Sequence, residues 1–126
     1  MLGVPAHMWL NYCPLKGRHW VVGNPASPEL FKLNKWLTIG ETCHKVTFSQ
    51  CLMGLTDPEG YLTRKDTTLW VSSELLIRRF QGKMCREQHL AEFAHKVLSG
   101  KSLGINRCDY AKKWPHLMCK SILCGI

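Results

Sequence analysis

Between Val46 and Ser72 two strand-like runs are joined by a turn and a basic loop, and no other stretch restricts the fold of this chain as much. The first run passes through Phe48-Ser49-Gln50-Cys51-Leu52-Met53-Gly54-Leu55. Asp57-Pro58-Glu59-Gly60 then has turn composition, because Asp accepts local backbone hydrogen bonds, Pro presets its own φ and Gly tolerates positive φ. Arg64 and Lys65 lead into the second run, Thr67 to Val71, whose β-branched and aromatic residues suit a half-buried sheet. A chain with this centre needs partners for two strands.

Upstream, His19-Trp20-Val21-Val22 is a short apolar run halted by Gly23-Asn24-Pro25, which predicts a first strand ending in a turn. Ser27-Pro28-Glu29 supplies a capping hydroxyl, a proline at a first helical position and an acid at the positive helix end. A helix is expected to follow, with Leu30, Leu33 and Leu37 on one face, Phe31 and Trp36 flanking it, and a stop at Gly40. The second strand is expected over Lys45 to Cys51 and the third over Thr67 to Val71.

Downstream, Ser72-Ser73-Glu74 opens a short helix carrying Leu75, Leu76, Ile77 and Phe80 before Gly82. From Glu87 to Leu98 the residues Leu90, Phe93, Ala94, Val97 and Leu98 follow the helical period, predicting an amphipathic helix with a stop at Gly100. After a loop from Lys101 to about Lys113, Pro115 starts a last helix through Leu117, Met118, Ile122 and Leu123. Strands alternating with helices predict an α/β class with partly parallel pairing: a small, reduced Rossmann-like three-layer domain with about three strands and four helices. Residues 1–18, without a clear period, are expected to form a flexible N-terminal arm, and residues 19–126 a single α/β domain.

Composition narrows the function classes. A 126-residue chain that is 45% hydrophobic and 21% charged is large enough for one packed core and argues against disorder. The net charge of +8 draws the domain toward polyanions such as DNA or RNA. Seven cysteines, an odd number without the regular spacing of a secreted disulfide scaffold, favour reduced thiols and an intracellular, cytoplasmic or nuclear setting. No apolar run of membrane-spanning length occurs and the start lacks a signal-peptide pattern, so no membrane partner is expected.

Several short motifs then combine in order: Trp20-Val21-Val22-Gly23-Asn24-Pro25, Phe48-Ser49-Gln50-Cys51 with Gly54, Lys65-x-Thr67-x-Leu69-Trp70, Cys85-x-x-x-His89, and Trp114-Pro115-x-Leu117-x-Cys119-x-x-Ile122. Over residues 19–126 this order resembles the C-terminal half of phage-type cytosine-specific DNA methyltransferase-like proteins, a module also found in protist and fungal retroelement polyproteins. Gly23, Ser49, Asp66, Ser72 and Ala91 depart from that family's polar pattern while the apolar frame is kept. The resemblance implies the second half of a Rossmann-type domain. Neither a Gly-rich turn for a nucleoside cofactor nor a Pro-Cys nucleophile is present, since Cys13 precedes Pro14, so methylation by this chain alone is not expected.

Two constellations carry the remaining chemistry. Cys85 and His89, four apart at the entry of a helix, can share a face and offer two tetrahedral zinc ligands; Cys108 and Cys119 are the candidates for the other two, with Cys124 and His95 behind them. On a continuous helix His95 would point about 120° away from His89. Arg64 and Lys65 beside Tyr61, with Arg78 and Arg79 on the next element, are the candidate nucleic-acid contacts: cations for phosphates and a ring for stacking. Asp57 and Glu59 are expected to be solvated turn residues. The preferred reading is a non-catalytic or degenerate module of mobile-element or methyltransferase-like origin that binds nucleic acid through a basic surface. A zinc-stabilised binding module and the partner half of a nucleic-acid-modifying enzyme are the alternatives.

Overall fold

The computed structural model describes residues 19–25 and 29–124. The expected arm over residues 1–18 and the capping residues Ser27 and Pro28 lie outside the described residues. Helices and strands are mixed, as the alternation predicts. Strands β1 (Val21–Pro25), β2 (His44–Ser49) and β4 (Asp66–Val71) form a three-stranded sheet in the order β1-β4-β2. Both pairings are antiparallel, with Val22 opposite Trp70 and Val46 opposite Leu69. The parallel pairing expected of a Rossmann-like sheet is therefore missing from the main sheet. Its one instance among the described residues is the two-residue contact of β3 (Leu62–Thr63) with β5 (His95–Lys96).

Because successive strand side chains face opposite ways, β4 sends Leu69 and Val71 to one side and Trp70 to the other. On the first side Leu69 and Val71 join Val46, Phe48, Met53, Leu76, Ile77, Phe80, Met118 and Ile122 in the larger core. On the second side Trp70 stacks on Phe31 at 4.0 Å with an interplanar angle of 12°, and Trp36 meets both rings edge-on. The sheet is thus covered on both faces. Trp20 and Trp114 are half-buried at its margins, as a packing role predicts.

The covering elements are shorter than the sequence pattern suggests. Glu29–Lys32 is a 3₁₀ turn, followed by helix α1 (Asn34–Gly40). Phe31 and Trp36 are buried whereas Leu33 and Leu37 are more than half exposed, so the expected leucine face is corrected to an aromatic one. The stacked rings remove more apolar area from water than the leucines would, and they set the roll of the helix. Two 3₁₀ turns, Glu74–Leu76 and Arg78–Phe80, replace the short helix after Ser73, whose Oγ accepts from the Leu75 N–H as the capping signal implied.

Helix α2 covers only Glu87–Glu92 and buries no residue, so the long amphipathic helix expected to reach Leu98 is not formed. A hairpin of β6 (Lys101–Ser102) and β7 (Ile105–Asn106) and helix α3 (Arg107–Tyr110) occupy the expected loop. Helix α4 (His116–Leu123) starts after Pro115 and buries Met118 and Ile122 in the larger core. No helix among the described residues is long and apolar enough to cross a membrane.

Gly23 lies in close contact with a distant ring. A Cβ there would lie 2.6 Å from the Trp114 ring, so only glycine leaves room for Trp114 to lie against β1.

Asp57 corrects a second expectation. It sits in the predicted turn but is buried, not solvated. Its Oδ1 accepts from the backbone N–H groups of Glu59 and Tyr61, each at 3.0 Å, and its Oδ2 accepts from Arg107 Nε at 3.3 Å. Burial alone would raise the carboxyl pKa, but the Tyr61 and Glu59 N–H groups and the Arg107 guanidinium outweigh it and hold the group below its ordinary value. Stability from Asp57 is therefore present above the unfolded-state pKa of about 3.9 and lost as pH falls through the lower folded-state value. Asp57→Asn is expected to lower unfolding free energy at neutral pH by about 2–3 kcal/mol, the range for hydrogen bonds to charged groups. Urea unfolding of both proteins should show that gap closing as the pH drops below about 4; equal stability at pH 7 would refute the role.

Candidate metal centre

Four side chains from three separate pieces of chain converge at one end of the sheet. Cys51, Cys85, His89 and His95 each present one donor atom, and these atoms all lie within 4.8 Å of one another. Both thiols are buried and both imidazoles half-buried.

Cys51 is delivered by the 3₁₀ turn Gln50–Met53 that ends β2. Gly54 closes the turn at φ 88°, a left-handed conformation that glycine adopts without penalty, and its N–H donates to the Cys51 carbonyl. Fully buried Gln50 locks the turn onto β4: its N–H donates to Lys65 O and its Nε2 donates to Thr67 Oγ1 at 2.8 Å.

Cys85 is held by Ser49, the last residue of β2. The Ser49 N–H donates to Lys83 O at 2.7 Å, and the Cys85 N–H donates to Ser49 Oγ at 2.9 Å. The same hydroxyl donates to Asp66 Oδ1 at 2.6 Å. Ser49 and Asp66 are therefore partners. The Arg64 fork, with contacts of 3.1 and 3.0 Å, holds the Asp66 carboxyl below its ordinary pKa, and Ser49 adds to that.

His89 lies on α2, whereas Cys85 precedes the helix beyond the extended N-cap Arg86, so the two meet through a bend in the chain and not along the shared helix face that their spacing predicted. Its Nε2 is buried and makes no hydrogen bond, an unpartnered acceptor or donor aimed into the cluster. The His89 ring meets His95 edge-on at 4.9 Å.

His95 reaches the cluster because helix α2 ends early. Phe93 adopts extended dihedrals (φ −128°, ψ 125°), so the helical period that would carry His95 away no longer applies, and β5 pairs with β3 instead. His95 Nδ1 lies 2.6 Å from Phe93 O. A carbonyl only accepts, so Nδ1 carries the proton and donates. Nε2 keeps its lone pair and accepts from the Cys85 thiol at 3.9 Å.

Of the ligand set expected from sequence, the structure brings together Cys85 and His89 but neither Cys108 nor Cys119. Cys108 is exposed, and its Sγ donates to Leu98 O at 3.3 Å. Cys119 lies on α4. Cys51 and His95 take their places. Cys51 had no signal beyond its position after a strand run, and its ligand role depends on a turn that the apolar pattern does not reveal.

Burial pushes the Cys51 thiol up to about 12, with the Cys85 thiol beside it adding to the rise. Without a cation the Cys51 thiol is thus protonated and weakly nucleophilic at neutral pH. His95 also lines an open cleft of about 480 Å³ shared with Arg64, Asp66, Leu90, Lys96, Val97 and Leu98.

The expected nucleic-acid contacts are distributed differently. Arg64 is committed to Asp66. Lys65 Nζ donates to Ala111 O at 2.9 Å, and burial lowers its pKa. The Tyr61 ring lies under Lys96 Nζ at 4.9 Å. Arg78 and Arg79 are exposed on their 3₁₀ turn.

Scanned against protein-family models, the chain matches none, and searches of curated proteins and of solved structures find no match either.

Ser49→Ala is expected to orphan the buried Cys85 N–H and lower unfolding free energy by about 1–3 kcal/mol, the cost of leaving a buried polar group unpaired. Hydrogen exchange at the Cys85 amide should accelerate in the same variant. Unchanged exchange would show that Ser49 does not hold the Cys85 segment.

Proposed function

We propose that this chain is a non-catalytic binding module whose fold is held by a structural zinc ion on Cys51, Cys85, His89 and His95. The observation that carries the reading is the convergence of two thiols and two imidazoles on one point, the imidazoles coming from a segment with little else to fix it. Helix α2 buries no side chain, and Leu90, Phe93 and Val97 around it are exposed. A six-residue helix without an apolar face is marginal by itself. A metal bound by Cys85, His89 and His95 on one side and Cys51 on the other supplies the missing attachment.

The donor chemistry selects the ion. Thiolate sulfur and imidazole nitrogen suit zinc, whereas calcium and magnesium take oxygen ligands. With Zn–S of about 2.3 Å and Zn–N of about 2.0–2.1 Å, a tetrahedron has edges of about 3.3–3.8 Å. The donor atoms need to close by about 1.0–1.5 Å at most from the 4.8 Å envelope they already share. The proton held on His95 Nδ1 by Phe93 O fixes the tautomer that offers Nε2 to a metal. Four protein ligands complete the shell, as in structural rather than catalytic sites, which keep an open position.

The methyltransferase-like origin rests on the order of short motifs alone. The β1-β4-β2 sheet does not supply the parallel strand, helix, strand crossover that a Rossmann-like half-domain uses. The binding-module reading depends on the metal centre and not on that origin.

Metal analysis of the purified chain is expected to give about one zinc per molecule. Chelation at neutral pH should unfold the segment from Cys85 to Lys96 or the whole domain, because a structural zinc contributes folding free energy directly. Cys51→Ser and His95→Ala should lose the metal, while Cys108→Ser and Cys119→Ser retain it. A folded, metal-free protein whose melting temperature is unmoved by zinc or chelator would refute the proposal.

A further inference from the structure

Positive charge is abundant here, but much of it is engaged within the fold. Lys32 pairs with Glu29, Arg64 with Asp66, Arg107 with Asp57 and Lys112 with Asp109. Lys65 is bound to Ala111 O, and Lys45 and Lys96 lie over the Trp70 and Tyr61 rings. Among the described residues, the exposed cations without such a partner fall into two groups. Lys35, Lys101, Lys113 and Lys120 are scattered over four separate places in the chain. Arg78, Arg79, Lys83 and Arg86 stand within one short segment that contains no Asp or Glu.

That segment is fixed at several points. Phe80 is fully buried and packs on Phe48 with ring centroids 4.7 Å apart. Lys83 O and the Cys85 N–H are both bonded to Ser49, and Cys85 belongs to the metal cluster. The backbone is therefore held while the four cationic side chains project into solvent. Charges on a fixed backbone lose less conformational freedom on binding than charges on a floppy tail.

We propose that Arg78–Arg86 is a docking surface for the phosphate backbone of nucleic acid, contacted by Arg78, Arg79, Lys83 and Arg86. It deepens the binding-module reading by naming the partner class, and rests on that reading for the anchoring of Cys85. Several uncompensated cations within one short, fixed segment complement a polyanion with regularly spaced charges. A lipid surface fits less well, because interfacial segments insert exposed apolar residues beside their cations. Here Phe80 and Cys85 are turned inward, and the exposed apolar residues Leu75 and Leu90 lie outside the segment on either side of the cations.

The test uses the zinc-loaded full chain and fluorescence anisotropy with a short mixed-sequence DNA duplex, the corresponding single strand and an RNA strand, each titrated over a range of salt. Removing all four cations as R78Q/R79Q/K83Q/R86Q is expected to weaken duplex binding at least tenfold and to reduce the slope of log affinity against log salt by about 3–4. The variant K35Q/K101Q/K113Q/K120Q removes the same charge elsewhere and should change that slope by less than about 1. Preference among the three probes identifies the form of nucleic acid. Equal losses in the two variants would reduce the effect to net charge and overturn the surface. So would failure of the unmodified chain to bind any probe at low salt, or stronger binding to phosphatidylserine vesicles than to every probe. Zinc measured on the same preparations separates the two proposals: zinc-free protein that still shows the segment-specific loss keeps the surface and refutes the metal, and zinc-loaded protein that binds no probe does the reverse.

Discussion

The hydroxyl of Ser49 is the point through which the sheet, the metal centre and the basic segment are joined. It donates to Asp66 at the start of β4 and accepts from the Cys85 amide, while its own N–H reaches Lys83 O. β2 is an edge strand of the β1-β4-β2 sheet, so beyond β4 its backbone would otherwise end in unpaired groups. The segment before Cys85 covers that end. Because Ser49 is fully buried, each of these bonds operates away from water, where a missing partner is costly.

The consequence is a division of labour within a small chain. The sheet and its two covered faces draw their cohesion from apolar burial: Phe48, Leu69 and Val71 on one side, Trp70 with Phe31 and Trp36 on the other. The region from Cys85 to Lys96 has almost none. Its hold on the sheet comes from polar and ligand-type contacts: Ser49 at Cys85, the clustered donor atoms, and the short β3–β5 pairing. A fold divided in this way unfolds in unequal parts, with the polar-anchored region at the low-stability end.

The apolar frame was legible in the sequence because burial follows local patterns. Val46, Phe48, Leu69 and Val71 announced their strands, Pro115 the start of the last helix, and the Cys85 to His89 spacing half of the metal cluster. What escaped depends on contacts between distant residues. Ser49 and Asp66 are 17 positions apart, and separately neither signals the other. Gly23 likewise makes sense only against Trp114. The antiparallel order could not be read from alternation, since strands interleaved with helices are compatible with either direction once the connections are long enough to turn back.

The early end of α2 is the most instructive difference. Leu90, Phe93 and Val97 have helical spacing, but periodicity states what a helix could bury and not whether a surface exists to bury it against. Leu90, Phe93 and Val97 find no such surface and stay exposed. Extending the helix would turn His95 away from Cys85 and strand the lone pair that Phe93 O leaves free on Nε2. Breaking the helix at Phe93 loses a few apolar contacts and gains the fourth donor. On the proposed zinc reading a bound ion would outweigh such contacts by a wide margin, since structural zinc is worth about 10–16 kcal/mol and a buried leucine about 1.5–3 kcal/mol. That reading accounts for three large apolar side chains left exposed beside the cluster: ligand geometry would set the backbone there, and the side chains would follow it.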